Sequence, residues 1–161
     1  MDFADKVVLV TGASRGIGAA IARAFADEGA AVAINYLSNH EAADQVAATC
    51  QRLGGAAQTI AADVTDVDAV GNLVEKTVEV FGTIDVLVNN AFRPYAFDPE
   101  QRRLFWETPW LCYQEQFEGT VGSTYQLCQA VLPVMKARTA GSIINIATDL
   151  VDRPTIPYHD Y

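Results

Sequence analysis

The chain is short of cysteine, histidine and basic residues, and each shortage closes off a class of function. Its 3 cysteines, Cys50, Cys112 and Cys128, are widely spaced with no C-x-x-C pair. That argues against a disulfide framework and points to buried free thiols in a reducing compartment, so a cytoplasmic setting is expected. The 2 histidines, His40 and His159, stand alone in the sequence, which speaks against a metal centre. Lys and Arg number 11 against 20 Asp and Glu, a net charge of −9. Phosphate backbones and anionic bilayers repel such a chain, so neither nucleic acid nor membrane is an expected partner. No run is long and apolar enough to span a bilayer, and Met1-Asp2-Phe3-Ala4-Asp5 is too acidic for a signal peptide. Apolar residues, by contrast, make up 50% of the 161 positions, enough for one well-filled core.

Those residues are most regularly ordered near the start. The β-branched run Lys6-Val7-Val8-Leu9-Val10 stops at Thr11-Gly12-Ala13-Ser14-Arg15-Gly16-Ile17-Gly18, after which Ile17, Ala20, Ile21, Ala24 and Phe25 recur at helical spacing. The order is strand, tight turn, helix. Such a turn presents bare N–H groups at the helix N-terminus, where the dipole helps them hold a phosphate. Gly12 permits the turn, and Gly16 and Gly18 let a pyrophosphate and the neighbouring strand come close. The spacing is G-x-x-x-G-x-G rather than the commoner G-x-G-x-x-G. Glycines alone also fit a connection that binds nothing; the flanking strand and helix are what make them a nucleotide signature.

The second strand is read as Ala30-Ala31-Val32-Ala33-Ile34-Asn35-Tyr36. An NAD-preferring site carries Asp or Glu about 20 residues beyond the first glycine, to bond the ribose 2′-hydroxyl. Asn35 and Tyr36 hold that place, and the first carboxylate comes only at Glu41. Without that carboxylate there is room for a 2′-phosphate, and Arg15 could pair with it through its forked guanidinium. The alternative is that Arg15 is a solvated surface arginine. NADP(H) is expected over NAD(H).

Further along, Ser38-Asn39-His40-Glu41 has the form of a capping box, followed by the helical face Ala43, Val46, Ala47, Cys50 and the terminator Gly54-Gly55. Gln58-Thr59-Ile60-Ala61-Ala62 is the third strand. Thr65-Asp66-Val67-Asp68 reads as a cap, and Val70, Leu73, Val74, Thr77, Val78 and Phe81 as a helical stripe closed by Gly82. Ile84 to Asn89 is the fourth strand. One long helix is expected from about Leu111 to Arg138, with Phe117, Val121, Tyr125, Cys128, Leu132 and Met135 along one face and Pro133 kinking or shortening its end. Gly141 to Thr148 is the fifth strand and its end. Five alternating strand–helix units predict an α/β fold, a doubly wound, Rossmann-like parallel sheet of order 3-2-1-4-5 with right-handed crossovers. Residues 1–161 are read as a single dinucleotide-binding domain.

Thr11 to Gly18, together with Asn89-Asn90-Ala91, resembles the short-chain dehydrogenase/reductase family, above all its 3-oxoacyl-acyl-carrier-protein reductase-like members, and the resemblance runs over the whole chain. It implies an oxidoreductase that reduces a carbonyl to an alcohol by hydride transfer, a small or carrier-bound 3-oxoacyl or keto substrate, and a homo-oligomer at full length. The resemblance also implies residue roles. Asp63-Val64 would contact the adenine, although Asp63 also reads as a cap for the next helix. The asparagine-rich turn would support the sheet, and its Asn89 and Ala91 would line the cofactor site. The family's catalytic serine falls at Thr148, which keeps the hydroxyl and adds a methyl, and its catalytic tyrosine falls at Tyr161. The family's active-site asparagine, which holds a water linking the catalytic lysine to solvent, falls at Thr120, whose hydroxyl cannot copy an amide. The glycine that usually follows Asn89-Asn90-Ala91 is replaced by Phe92, which either narrows the space beside the cofactor or swings away. The stretch from Phe92 to Pro109 is longer than the family's connection, and reads either as a substrate-facing wall or as local packing of a long loop.

The family's lysine, one helical turn after the tyrosine, holds the nicotinamide ribose and lowers the tyrosine's pKa. It has no counterpart within these 161 residues. The sequence is therefore expected to be the front part of a longer protein, or of one cleaved after Tyr161. The alternative is a catalytically inactive fragment that binds cofactor or a partner.

Overall fold

The computed structural model describes residues 3–95, 98–100 and 103–148. Five strands form one parallel sheet: β1 (Val7–Val10), β2 (Ala31–Tyr36), β3 (Ala57–Ala61), β4 (Val86–Asn89) and β5 (Ser142–Asn145). Their order is β3-β2-β1-β4-β5, as the alternation of elements predicts. The crossovers are α1 (Gly16–Asp27), α2 (His40–Arg52), α3 (Val67–Phe81), α4 (Trp110–Phe117) and α5 (Ser123–Ala137).

Side chains alternate across the strands and both faces are covered, so the central strands read as unbroken apolar runs. Val8, Val10, Val32 and Ile34 pack on one side with Ala19, Ala22 and Ala26 of α1 and Val46 and Cys50 of α2. Leu9, Ala33 and Leu87 pack on the other with Val70 and Leu73 of α3 and Leu127 and Val131 of α5. The buried row of α1 is thus mostly alanine. Ile17, expected on the apolar face, is 62% exposed, while Ile21 and Phe25 are partly buried.

Caps set the helix starts. The cap lies one residue later than expected and is not a reciprocal box: Asn39 caps α2, its side chain accepting from Ala42 N at 3.0 Å. Asp66 caps α3 by accepting from Asp68 N and Ala69 N, at 2.9 and 3.0 Å. Gly82 ends α3 in the left-handed region at φ 83°, where a side chain would be strained.

The long helix expected from Leu111 to Arg138 is interrupted. Between α4 and α5 the chain makes a π-helical turn, Glu118–Gly122, which shifts the faces on either side of it. The buried row is therefore Ser123, Leu127, Val131 and Met135, whereas Phe117, Val121, Tyr125 and Leu132 of the expected stripe are exposed. Pro133 sits on an exposed position, and α5 continues past it to Ala137. Of the cysteines only Cys50 is buried; Cys112 and Cys128 are half-buried, and all three are free thiols. No helix among the described residues is long and apolar enough to cross a membrane.

Candidate active site

The sheet delivers its polar residues to one edge. The carboxyl ends of β1, β2 and β4 carry Thr11, Asn35 and Asn89-Asn90, and these side chains tie the ends together. The Thr11 hydroxyl donates to Val88 O at 3.2 Å and accepts from the N–H groups of Asn90 and Ala91, each at 3.0 Å. Asn90 Nδ2 donates to Thr11 O and Gly12 O, at 2.9 and 3.2 Å. From the other side Asn35 accepts from the loop, Gly12 N on Oδ1 at 3.2 Å and Ala13 N on the backbone oxygen at 2.8 Å. The glycine turn is thereby clamped between two strand ends.

Its glycines do three different jobs. Gly12 turns at φ 60°, and a Cβ there would stand 3.0 Å from Ala91 Cα. Gly18 opens α1 against the loop itself, with Gly12 O 2.8 Å and Ala13 Cα 3.0 Å from where its Cβ would be. Gly16 also has a positive φ, 58°, yet its Cβ would meet nothing within 4 Å. Packing explains Gly12 and Gly18; at Gly16 backbone lies bare beside open space. The first N–H groups of α1 have no intrahelical partner by geometry, and the residue before them, Arg15, makes no side-chain cap and is exposed. Ser14 is half-buried and Ile17 exposed beside it. Bare donors, a helix dipole and open space fit a pyrophosphate. The site thus has the shape and donors for a dinucleotide.

The ribose end divides its two residues. Asn35 is 1% exposed, and its Nδ2 donates to Ile60 O and Ala62 O, at 3.3 and 3.1 Å. It braces the loop and β3 rather than offering an amide to a ligand. Tyr36 points to the α2 side and meets His40. Asp63 does not cap α3: its Oδ1 accepts from Thr65 N and Thr65 Oγ1, at 2.9 and 2.7 Å, in a turn past β3. Val64 is buried beneath it in the α3 layer.

On the chemistry side, Asn89 is 4% exposed and Nδ2 donates to Asn145 Oδ1 at 2.9 Å, joining β4 to β5. Its Oδ1 is buried with no partner. Thr148 is exposed, three residues beyond β5. Thr120 lies in the π-helical turn, and its hydroxyl donates to Gln116 O at 2.6 Å. Its proton is used inside the helix, so Thr120 offers a relay only oxygen lone pairs. Phe92 is 58% exposed, and Arg93 packs on Gly119 of the same turn and pairs with Glu115 at 2.9 Å. Tyr161 lies outside the described residues. An apolar cavity of about 360 Å³ beside α1 is lined by Phe25, Val88 and Ile144 among others, and includes no glycine-loop residue. The family resemblance implies that the asparagine-rich turn supports the sheet, as Asn90 does; motif reading missed the bracing by Thr11 and the contact of His40 with Tyr36. Its one available signal was polar side chains clustered at the ends of adjacent parallel strands.

The sequence model of the family described as short chain dehydrogenase matches residues 6–161. The chain belongs to the short-chain dehydrogenase family. It is 42% identical over 146 residues to L-fucose dehydrogenase of Oryctolagus cuniculus, covering 91% of this chain and 48% of that protein. It is 38% identical over 143 residues to a 3-oxoacyl-[acyl-carrier-protein] reductase of Synechocystis, covering 89% and 56%. Among solved structures, NAD+-bound xylitol dehydrogenase superposes with a TM-score of 0.86 at 32% identity, over 100% of this chain and 60% of that one. A 7 alpha-hydroxysteroid dehydrogenase complexed with NADH and 7-oxo glycochenodeoxycholic acid gives 0.86 at 30%, over 97% and 58%. The chain therefore spans about half to three-fifths of the length of these relatives.

Proposed function

We propose that the protein containing this chain is an NADP(H)-dependent oxidoreductase that reduces a keto or 3-oxoacyl carbonyl to an alcohol. The observation that carries the reading is the glycine turn: bare backbone at Gly16, an uncommitted Arg15, and a β2 end without a carboxylate. The N–H groups opening α1 would hold the pyrophosphate, and Arg15 the 2′-phosphate. The bound nicotinamide would supply hydride to the carbonyl carbon. Thr148 would donate a hydrogen bond to the carbonyl oxygen, and Tyr161, by its place in the family pattern, would give that oxygen its proton. The reductase relative supports the 3-oxoacyl class. The neighbours named with NAD+ and NADH make cofactor choice the first point to test.

The test uses the protein at its natural length. NADPH oxidation with a β-keto ester should exceed NADH oxidation, disappear in Tyr161→Phe, and fall in Thr148→Val with NADPH affinity retained. Equal use of the two cofactors would refute the NADP(H) assignment. Unchanged turnover in Thr148→Val would remove that residue from the chemistry.

A further inference from the structure

Tyr36, His40 and Asp44 form a short relay where β2 runs into α2. The Tyr36 hydroxyl lies 2.9 Å from His40 Nδ1, and the rings stack with centroids 5.6 Å apart and 28° between their planes. His40 Nε2 lies 3.1 Å from Asp44 Oδ2, one helical turn on. Tyr36 is 9% exposed, whereas the His40 side chain is 67% exposed. Tyr36 stands where a dinucleotide site reads the adenosine ribose. The neighbouring Asn35 accepts from Gly12 N and Ala13 N, so the glycine loop abuts this strand end.

We propose that His40 is a specificity-determining residue for the ribose 2′ position, and that its protonation strengthens binding of a 2′-phosphate. The proposal rests on the NADP(H) reading above. With Nδ1 bare, the ring accepts the Tyr36 proton, and the phenol offers an incoming oxygen only lone pairs. With both nitrogens protonated, Nδ1–H donates to the Tyr36 oxygen. The phenolic proton is then free for a phosphate oxygen, and the ring adds a positive charge. Asp44 accepts from Nε2 in either state, so the ring keeps its place. A 2′-hydroxyl gains little from this change, being able to donate as well as accept. The titratable groups bonded to the ring are Tyr36 from β2 and Asp44 from α2. Glu41 follows it in the first turn, and Arg15 is the charge carried by the loop. From β3, the Thr59 hydroxyl donates to Asp44 at 3.0 Å.

The test is calorimetric titration of adenosine 2′,5′-bisphosphate and of 5′-AMP into the wild type and His40→Gln, from pH 8 to 6. A phosphate monoester itself titrates near pH 6, so the quantity read is the bisphosphate/AMP affinity ratio of wild type over variant at each pH. That double ratio should rise by about three- to fivefold on acidification, the worth of an exposed ion pair. By linkage, saturating bisphosphate should also move the proton-NMR titration of the His40 ring to higher pH, and AMP should not. If the wild type prefers the bisphosphate but His40→Gln keeps the same ratio at every pH, the proposal is overturned and the NADP(H) reading stands. If the wild type binds both ligands equally at every pH, the NADP(H) reading falls and the proposal with it.

Discussion

Gly16 and Gly18 sit two residues apart in one motif, yet the structure predicts unequal stability losses, with different physical causes, for adding a methyl group. At Gly16 the new Cβ meets nothing within 4 Å, and the only cost to the free protein is a φ of 58°. A left-handed alanine costs about 1–2 kcal/mol, partly offset by about 0.4–1 kcal/mol from a less flexible unfolded chain. A net loss near 1 kcal/mol should lower Tm by about 2–4 °C in a chain of this size. At Gly18 alanine is the better helix former by about 1 kcal/mol, but its Cβ would lie 2.8 Å from Gly12 O and 2.5 Å from Asn90 Nδ2. Backbone cannot yield there, and overpacking costs about 1–3 kcal/mol. If Asn90 swings aside it forfeits two hydrogen bonds of about 1 kcal/mol each. The net loss is about 2–4 kcal/mol, a fall in Tm of about 10 °C. Thermal unfolding by circular dichroism without ligand reads the stability, and NADPH fluorescence titration reads the site. Both variants should bind NADPH at least about tenfold more weakly, because a Cβ at Gly16 occupies the space a pyrophosphate needs. A Gly18→Ala protein as stable as Gly16→Ala would refute the packing argument. A Gly16→Ala protein with wild-type affinity would show that the open space is not where the dinucleotide lies.

Arg15→Ala should weaken NADPH by about 1.5–3 kcal/mol, the worth of a charge-assisted pair, and barely change NADH; equal losses in parallel titrations would reduce Arg15 to a solvated side chain. Asp85 is 9% exposed and accepts from Val7 N at 2.9 Å through Oδ2. Asp85→Ala strands that N–H and should cost about 1–3 kcal/mol in urea unfolding, and Asp85→Asn, which keeps an acceptor oxygen, should cost less; equal losses would discount the bond. Burial pushes the Cys50 thiol above its ordinary range, against an opposing pull from Arg23. At pH 8 a thiol-reactive reagent should therefore label half-buried Cys112 and Cys128 first and Cys50 only on unfolding, with mass mapping of the modified peptides as the check.

Legibility in the sequence followed how local the signal was. Strands β1, β2 and β4 were readable because burial on both faces leaves unbroken apolar runs, and the sheet order followed from alternation and handedness. Sequence alone does not separate Ser38 from Asn39 as the cap of α2, because both suit an N-cap; backbone geometry chooses Asn39. The π-helical turn was invisible: its sequence, Glu118-Gly119-Thr120-Val121-Gly122, carries no local marker beyond two glycines. An extra residue in a turn rotates the side chains that follow it, so Tyr125 and Leu132 of the expected stripe face outward, although Met135 still falls on the buried row. Asn35 shows the same limit within the site. The sequence pattern places it at the end of β2, but only the fold shows that Ile60 O and Ala62 O take up its amide while Tyr36 turns to the α2 side.

The two halves of the site rest on unequal foundations. The nucleotide cradle is braced on both sides before any ligand arrives: Thr11 and Asn90 fix it to β4, and Asn35 fixes it to β2 and β3. Preorganised donors lose little freedom on binding, so the cradle should hold a dinucleotide as a rigid unit. Thr148 lies beyond β5, which among the described residues pairs only with β4. Ile143 and Ile144 of β5 and Ile146 just past it are 36–41% exposed. Among the described residues the Asn89 side chain joins this strand to β4 through Asn145, and its own Oδ1 is unpartnered. Substitutions in β5 should therefore change the positioning of Thr148, and with it turnover, far more than dinucleotide affinity. Substitutions at Thr11 or Asn90 should do the reverse, because they loosen the loop without touching the strand that carries the hydroxyl.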